Sequence, residues 1–133
     1  MGESVQIEEG RDTANVRVLL VDDHDLFRTG LRNLLEEQGV DIVAEASSGS
    51  EALHHVREAA PDVVVMDLNM PGMTGVEATR QITSIAPLTR VLVLTISDQD
   101  SDVLDAILAG ACGYLMKDAS IEELMAGIRA AAI

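Results

Sequence analysis

Short apolar runs alternate with longer amphipathic stretches five times along the chain, beginning at residue 16. Each run is rich in Val, Leu or Ile, which favours a β-strand. Apolar residues in the longer stretches recur every three or four positions, which favours an α-helix. The predicted strands are residues 16–21, 41–46, 63–66, 90–95 and 112–116. The first predicted helix begins near Leu26 and is closed by Gly39, and the others cover residues 49–59, 75–86, 101–109 and 120–132.

This alternation predicts one α/β domain over residues 16–133. Strands so continuously apolar are expected to be buried on both faces, which requires parallel pairing with helices on each side. The predicted fold is therefore a flavodoxin-like, doubly wound sheet of five parallel strands in the order 2-1-3-4-5, with five helices. Residues 1–15, which include Glu3, Glu8 and Glu9, are predicted to form an acidic tail outside this domain.

Composition narrows the range of partners. The formal net charge of −14 repels nucleic acid and anionic lipid surfaces, so direct binding of either by this chain is not expected. The single cysteine, Cys112, allows no intramolecular disulfide, which fits a reducing compartment such as the cytoplasm. Cys112 is expected to be a small core residue at the start of the fifth strand. No apolar run approaches the roughly 20 residues of a membrane-spanning helix.

Polar residues at the ends of the predicted strands mark a candidate site. Asp22 and Asp23 follow the first strand and Asp67 the third, Thr95 ends the fourth, and Lys117 follows the fifth. The carboxyl ends of parallel strands lie at one edge of the sheet, so these residues are expected to converge. Three carboxylates placed together require a cation, and an incomplete oxygen shell of this kind suits Mg²⁺. The cluster predicts phosphoryl transfer to Asp67, with Lys117 and Thr95 stabilising the developing charge.

The stretch after Asp67 predicts a rigid loop beside this carboxylate. It has the sequence LNMPGMTG, in which Pro71 and Gly72 suit a turn and Gly75 opens the next helix. Its backbone carbonyls, in particular that of Asn69, are expected to complete the metal shell.

Four segments in this order resemble the receiver domains of bacterial two-component response regulators: LLVDDH at 19–24, VVVMDLNMPGMTG at 63–75, VLTIS at 93–97 and GYLMKD at 113–118. The resemblance implies that Asp67 is the phosphoacceptor, Asp23 a direct Mg²⁺ ligand and Asp22 a ligand through water. It makes the Asn69 carbonyl a third metal contact. Thr95 and Lys117 would hold the phosphoryl oxygens. It also implies that Tyr114 is a switch aromatic that turns inward when the Thr95 hydroxyl moves toward the phosphoryl group.

The resemblance also implies a partner and an output. The phosphoryl donor would be a sensor histidine kinase, and the chain would catalyse only its own phosphorylation and dephosphorylation. Residues 22–35 and the GYLMKD segment are most similar to the nitrate-response (NarL/LuxR-type) branch. Members of that branch usually carry a C-terminal helix-turn-helix domain, which would lie outside this chain and make the only contact with DNA. A homodimer through the last helices is left open.

Two departures from the family pattern adjoin the phosphoryl site. Many receivers have a small residue after the threonine and a proline after the lysine, whereas this chain has Ile96 and Asp118. Ile96 is expected to hinder water or small phosphodonors, and the peptide bond after Lys117 is expected to be trans because no proline follows. These changes put the lifetime of the phosphorylated state in question.

Less specific interpretations remain for single residues. An acidic pair is commonly a solvated strand end, Thr95 alone suits a strand, and Tyr114 alone suits a half-buried position. The three histidines are assigned no metal-ligand role, and His24 is interpreted as a helix-start residue.

Three rival functions remain open. A haloacid dehalogenase-type magnesium phosphatase would also use Asp67, but it normally has a second Asp where this chain has Asn69. A flavodoxin would bind the flavin phosphate beside Asp22 and Asp23, which repel it. A degenerate receiver would only mediate contacts and would not respond to Mg²⁺.

Overall fold

The computed structural model describes residues 16–97 and 101–133, so the predicted tail at 1–15 lies outside the described residues. Strands and helices alternate along the described chain, in agreement with the predicted order. The strands are β1 (Arg17–Val21), β2 (Asp41–Ala46), β3 (Val63–Asp67), β4 (Arg90–Thr95) and β5 (Gly113–Met116). The helices are α1 (Asp25–Glu37), α2 (Gly49–Ala59), α3 (Gly75–Ile85), α4 (Ser101–Leu108) and α5 (Ile121–Ala132).

The strands form one parallel sheet in the order β2-β1-β3-β4-β5, which confirms the predicted doubly wound fold. Burial on both faces holds for the central strands, and every residue of β3 is buried. It does not hold for β2 and β5, most of whose residues are only half-buried. These two strands lie at the sheet edges, where one side has no neighbouring strand among the described residues.

Alternation along the central strands divides the core into two layers. Leu19 and Val21 of β1 pack with apolar residues of α2, α3 and α4 on one face of the sheet. Val18 and Leu20 pack with α1 and α5 on the other face. The helices therefore cover both faces, and the carboxyl edge of the sheet is left for the loops that follow β1, β3, β4 and β5.

Side-chain caps fix the starts of three helices. Ser48, Thr74 and Ser120 each accept a hydrogen bond from the backbone N–H three residues on, and Ser120 with Glu123 forms a full capping box. Gly39 follows the end of α1 with a φ of 89°, a conformation that glycine adopts without strain. The closing glycine agrees with the sequence prediction.

The prediction for Cys112 is wrong. Cys112 is exposed and precedes β5, which begins at Gly113, while its neighbour Ala111 is buried. The physical reason is that β5 is an edge strand, so its entry has a solvent-facing side. Within the two described ranges, no helix has both the length and the apolar character needed to cross a bilayer.

Candidate functional site

Strand register brings the predicted site residues to one edge of the sheet. Val21 pairs with Met66, so Asp22 follows β1 beside the end of β3, where Asp67 is the last residue. Thr95 ends β4 one residue beyond Leu94, the partner of Asp67. Lys117 follows β5, and its backbone N–H donates to the Thr95 carbonyl at 2.8 Å. The polar residues thus lie at successive strand ends because the register is continuous.

Lys117 links two of the three carboxylates. Its Nζ lies 3.1 Å from Asp22 Oδ2 and 3.2 Å from Asp67 Oδ1, and 4.9 Å from the centre of the Phe27 ring. Burial by itself would lower the pKa of Lys117, but the attraction of Asp67 and Asp22 outweighs it and raises the pKa. The ammonium group therefore stays charged at neutral pH and lies against the Asp22 and Asp67 carboxylates on one side of the site.

Asp67 has a buried carboxylate, and only one of its two oxygens has a hydrogen-bond partner among the described residues. It is 1% exposed, and its Oδ1 accepts a hydrogen bond from the Asn69 backbone N–H at 3.0 Å. Its Oδ2 is buried and has no hydrogen-bond partner among the described residues. Burial raises the pKa of Asp67, and repulsion by Asp22 adds to this, while the Asn69 N–H and Lys117 oppose it. The free oxygen is the group that a cation or an electrophile would meet.

The loop between β1 and α1 is fixed by an arginine that the sequence analysis did not single out. Arg28 donates to the backbone carbonyl of Asp22 and, through Nε at 3.0 Å, to Glu45 of β2. A positive charge in the first turn of a helix opposes the helix dipole. That unfavourable placement was the available signal that Arg28 has a specific partner.

The acidic residues fit a divalent cation. Asp22, Asp23, His24 and Asp67 each offer a ligand atom, and these atoms lie within 4.8 Å of one another. Two buried oxygens of the group, Asp23 Oδ1 and Asp67 Oδ2, have no hydrogen-bond partner in the described chain. Buried carboxylate oxygens without donors are the groups that a hard cation satisfies. The arrangement can therefore hold a metal ion.

His24 lies closer to this group than the sequence predicted. It is the N-cap of α1, as expected for a helix-start residue, but its side chain makes no capping hydrogen bond. Its Nδ1 lies 3.2 Å from Asp22 Oδ1 and 3.3 Å from Asp23 Oδ1. Sequence reasoning missed this approach because the direction of a side chain before a helix is not encoded by periodicity.

The remaining predicted residues differ widely in exposure. Thr95 is 2% exposed, and its hydroxyl donates to the Ser97 carbonyl at 3.0 Å. Tyr114 is 41% exposed and Ile96 69% exposed. Cis peptide bonds do not occur in the described ranges, so the bond after Lys117 is trans as expected. The metal contact predicted for the Asn69 carbonyl stays a prediction.

Comparison with known proteins gives the same family along the whole domain. The family model described as "Response regulator receiver domain" matches residues 18–129. Response regulator GacA of Pseudomonas viridiflava is 44% identical over 115 residues, which are 86% of this chain and 54% of that protein. Response regulator UvrY of Escherichia coli K12 is 43% identical over 86% of this chain and 53% of its own length. The chain thus spans about half the length of the curated relatives it matches.

Solved structures agree with the sequence matches. The signal receiver domain of the response regulator NarL from Mycobacterium tuberculosis superposes with a TM-score of 0.83 at 37% identity, over 88% of this chain and 95% of that one. A LuxR-family two-component response regulator from Aurantimonas sp. gives a TM-score of 0.82 at 43% identity, over 87% of this chain and 84% of that one. By sequence, fold and site arrangement together, this chain belongs to the response regulator receiver domain family.

Proposed function

We propose that Asp67 accepts a phosphoryl group from a phosphohistidine of a sensor histidine kinase, in a reaction that requires Mg²⁺. The observation that carries this proposal is the state of Asp67. Its Oδ2 is buried without a hydrogen-bond partner in the described chain, 1% of the residue is exposed, and Lys117 lies 3.2 Å from its other oxygen. A carboxylate so placed is a poor packing residue and a suitable nucleophile.

The reaction is a displacement at phosphorus. A carboxylate oxygen of Asp67 attacks the phosphorus atom, the P–N bond to the kinase histidine breaks, and the imidazole leaves as the phosphoryl group moves to Asp67. Lys117 donates to a phosphoryl oxygen, and the Thr95 hydroxyl, which now donates to Ser97, turns to a second one. Asp22, Asp23, Asp67 and the Asn69 carbonyl would hold Mg²⁺, which when bound neutralises charge on the phosphoryl oxygens.

Phosphorylation then changes the surface near β4 and β5. When the Thr95 hydroxyl moves toward the phosphoryl group, Tyr114, which is 41% exposed, turns inward and the faces of α4 and β5 rearrange. The output is altered protein contact, with transcription controlled through a C-terminal DNA-binding domain of a longer protein. The chain catalyses only its own phosphorylation and dephosphorylation, in the cytoplasm.

Acetyl phosphate with Mg²⁺ tests the proposal, with intact mass as the readout. We expect wild type and Asp41→Asn to gain one phosphoryl group, and Asp67→Asn to gain none. Asp41 is the matched control because it is an exposed acid at the opposite edge of the sheet, at the start of β2. A wild-type chain that stays unmodified and does not bind Mg²⁺ would be the degenerate receiver instead.

A further inference from the structure

The imidazole of His24 is turned toward the acidic group rather than toward its own helix. Although His24 occupies the N-cap of α1, its side chain makes no capping hydrogen bond. Its Nδ1 lies 3.2 Å from Asp22 Oδ1 and 3.3 Å from Asp23 Oδ1, while the side chain as a whole is 67% exposed. The backbone N–H of His24 donates to Asp22 Oδ1 at 2.8 Å, which fixes the residue against this carboxylate.

These distances are close to the separation expected between two ligand atoms that bind the same metal ion. Ligand atoms bound tetrahedrally at about 2.0–2.2 Å from one ion lie about 3.3–3.6 Å apart. The two nitrogen-to-oxygen distances at His24 are close to that range, and all four ligand atoms of the group lie within 4.8 Å of one another. A second and independent observation points to a ligand: Asp67, a member of this group that is 1% exposed, has a buried Oδ2 without a hydrogen-bond partner among the described residues.

The chemistry of the donor set indicates which ion would use the nitrogen. Carboxylate, carbonyl and water oxygens suit Mg²⁺, whereas imidazole suits Zn²⁺ and other transition ions. A neutral imidazole can bind through Nδ1 because the exposed ring leaves Nε2 free to carry the proton toward solvent. His24 therefore adds a ligand that discriminates between two classes of cation at one site.

We propose that the site also binds Zn²⁺, with His24 Nδ1 as a ligand beside the carboxylates of Asp22, Asp23 and Asp67. Four protein ligands complete the usual coordination shell of Zn²⁺, so no position is left for a phosphoryl oxygen. Zn²⁺ would then compete with Mg²⁺ and hold Asp67 unphosphorylated. This regulatory consequence rests on the proposed function, whereas the binding of Zn²⁺ through His24 does not.

Titration calorimetry with Zn²⁺ and with Mg²⁺ tests the ligand role, on wild type, His24→Asn and the control His54→Asn. His54 is an exposed histidine on α2 outside the acidic group. Asn is a good N-cap, so His24→Asn is expected to keep α1 intact, and circular dichroism checks this. We expect His24→Asn to weaken Zn²⁺ binding by about tenfold or more, the size of effect that metal-site residues commonly show, with Mg²⁺ binding nearly unchanged. His54→Asn should behave as wild type.

Cobalt gives a second readout that does not depend on activity. The visible absorption of Co²⁺ bound to wild type should differ from that bound to His24→Asn if a nitrogen ligand has been lost. Equal weakening of Zn²⁺ and Mg²⁺ by His24→Asn, or an unchanged Zn²⁺ affinity, would overturn the proposal, because His24 would then act only as a hydrogen-bond donor to the carboxylates.

Phosphorylation by acetyl phosphate at saturating Mg²⁺ separates the two proposals. Added Zn²⁺ should lower the phosphorylated fraction of wild type more strongly than that of His24→Asn. Equal inhibition of both proteins would overturn the regulatory role. If wild type is not phosphorylated in Mg²⁺ alone, the proposed function fails, and the calorimetric result still decides whether His24 binds Zn²⁺.

Discussion

At the scale of single residues, the stability that the fold loses by forming the site is lost mainly at Asp67. Its carboxylate is buried, faces the negative charge of Asp22, and leaves one oxygen without a partner in the described chain. The pKa of Asp67 is raised mainly by burial, so the folded state binds this proton more tightly than the unfolded state does. The protonated form therefore stabilises the fold at low pH, and that contribution is lost as the pH rises through the raised pKa.

Asp67→Asn is expected to stabilise the metal-free protein at neutral pH. In EDTA at pH 7, its free energy of unfolding should exceed that of wild type by about 1 kcal/mol, because the neutral amide avoids the cost of an incompletely satisfied buried charge. The difference should shrink toward acidic pH, where Asp67 of wild type is protonated. Urea denaturation over a pH series measures this, with Asp41→Asn as the control. A variant less stable than wild type at pH 7 would contradict the argument.

Arg28 is a single residue that holds the loop between β1 and α1 in place. Its side chain is 14% exposed and joins the Asp22 carbonyl to Glu45, and Arg32 also contacts Glu45, at 2.6 Å. Arg28→Ala is expected to cost about 1–3 kcal/mol of stability and to weaken Mg²⁺ binding several-fold. Arg32→Ala is the matched control, since it loses the contacts with Glu45 and Glu36, whereas the bond to the Asp22 carbonyl is made by Arg28. Calorimetry in Mg²⁺ should show equal affinities for both variants if Arg28 has no role in the site.

At the scale of elements, the approach of α3 to the end of β3 depends on Gly75. A Cβ added there would lie 2.4 Å from the Asp67 carbonyl oxygen and 2.7 Å from the Leu68 Cα, both of them backbone atoms. Neither can rotate away, so a side chain at this position must displace the loop that carries Asn69. The glycine therefore sets how closely α3 approaches Asp67.

Gly75→Ala is expected to cost about 1–3 kcal/mol of unfolding free energy and to slow phosphorylation by acetyl phosphate. Gly30→Ala is the control, and it is expected to change stability in the opposite direction. Gly30 lies inside α1, and apart from its chain neighbours and the nearby helix backbone no atom of the described residues lies within 4 Å of an added Cβ, so alanine there should gain about 1 kcal/mol from helix propensity. Thermal unfolding of both variants measures the difference. An equally stable Gly75→Ala protein would show that the loop can move at little cost.

At the scale of the whole molecule, the sequence predicted the features that follow from periodicity and parallel pairing. Strand order, the five helices and the meeting of Asp22, Asp67 and Lys117 all follow once the runs are recognised as parallel strands. The direction of the His24 ring and the path of Arg28 to the Asp22 carbonyl depend on rotamers and tertiary distance, which no local pattern encodes. Cys112 was wrongly placed because the sequence does not mark which side of an edge strand faces solvent.

The net charge of −14 affects the two reactants of the proposed reaction in opposite ways. It attracts Mg²⁺ to the acidic site and repels the dianionic acetyl phosphate, and both effects are screened as the Debye length falls from about 10 Å at 0.1 M salt toward about 3 Å at 1 M. Raising KCl should therefore weaken Mg²⁺ binding in calorimetry. At Mg²⁺ concentrations that keep the site saturated, the same salt should speed phosphorylation by acetyl phosphate, measured by intact mass.

Sucrose at matched osmolality is the control, since it does not screen charge. If salt slowed the reaction at saturating Mg²⁺, the rate would be governed by local contacts with Lys117 and Thr95 rather than by the field of the whole molecule.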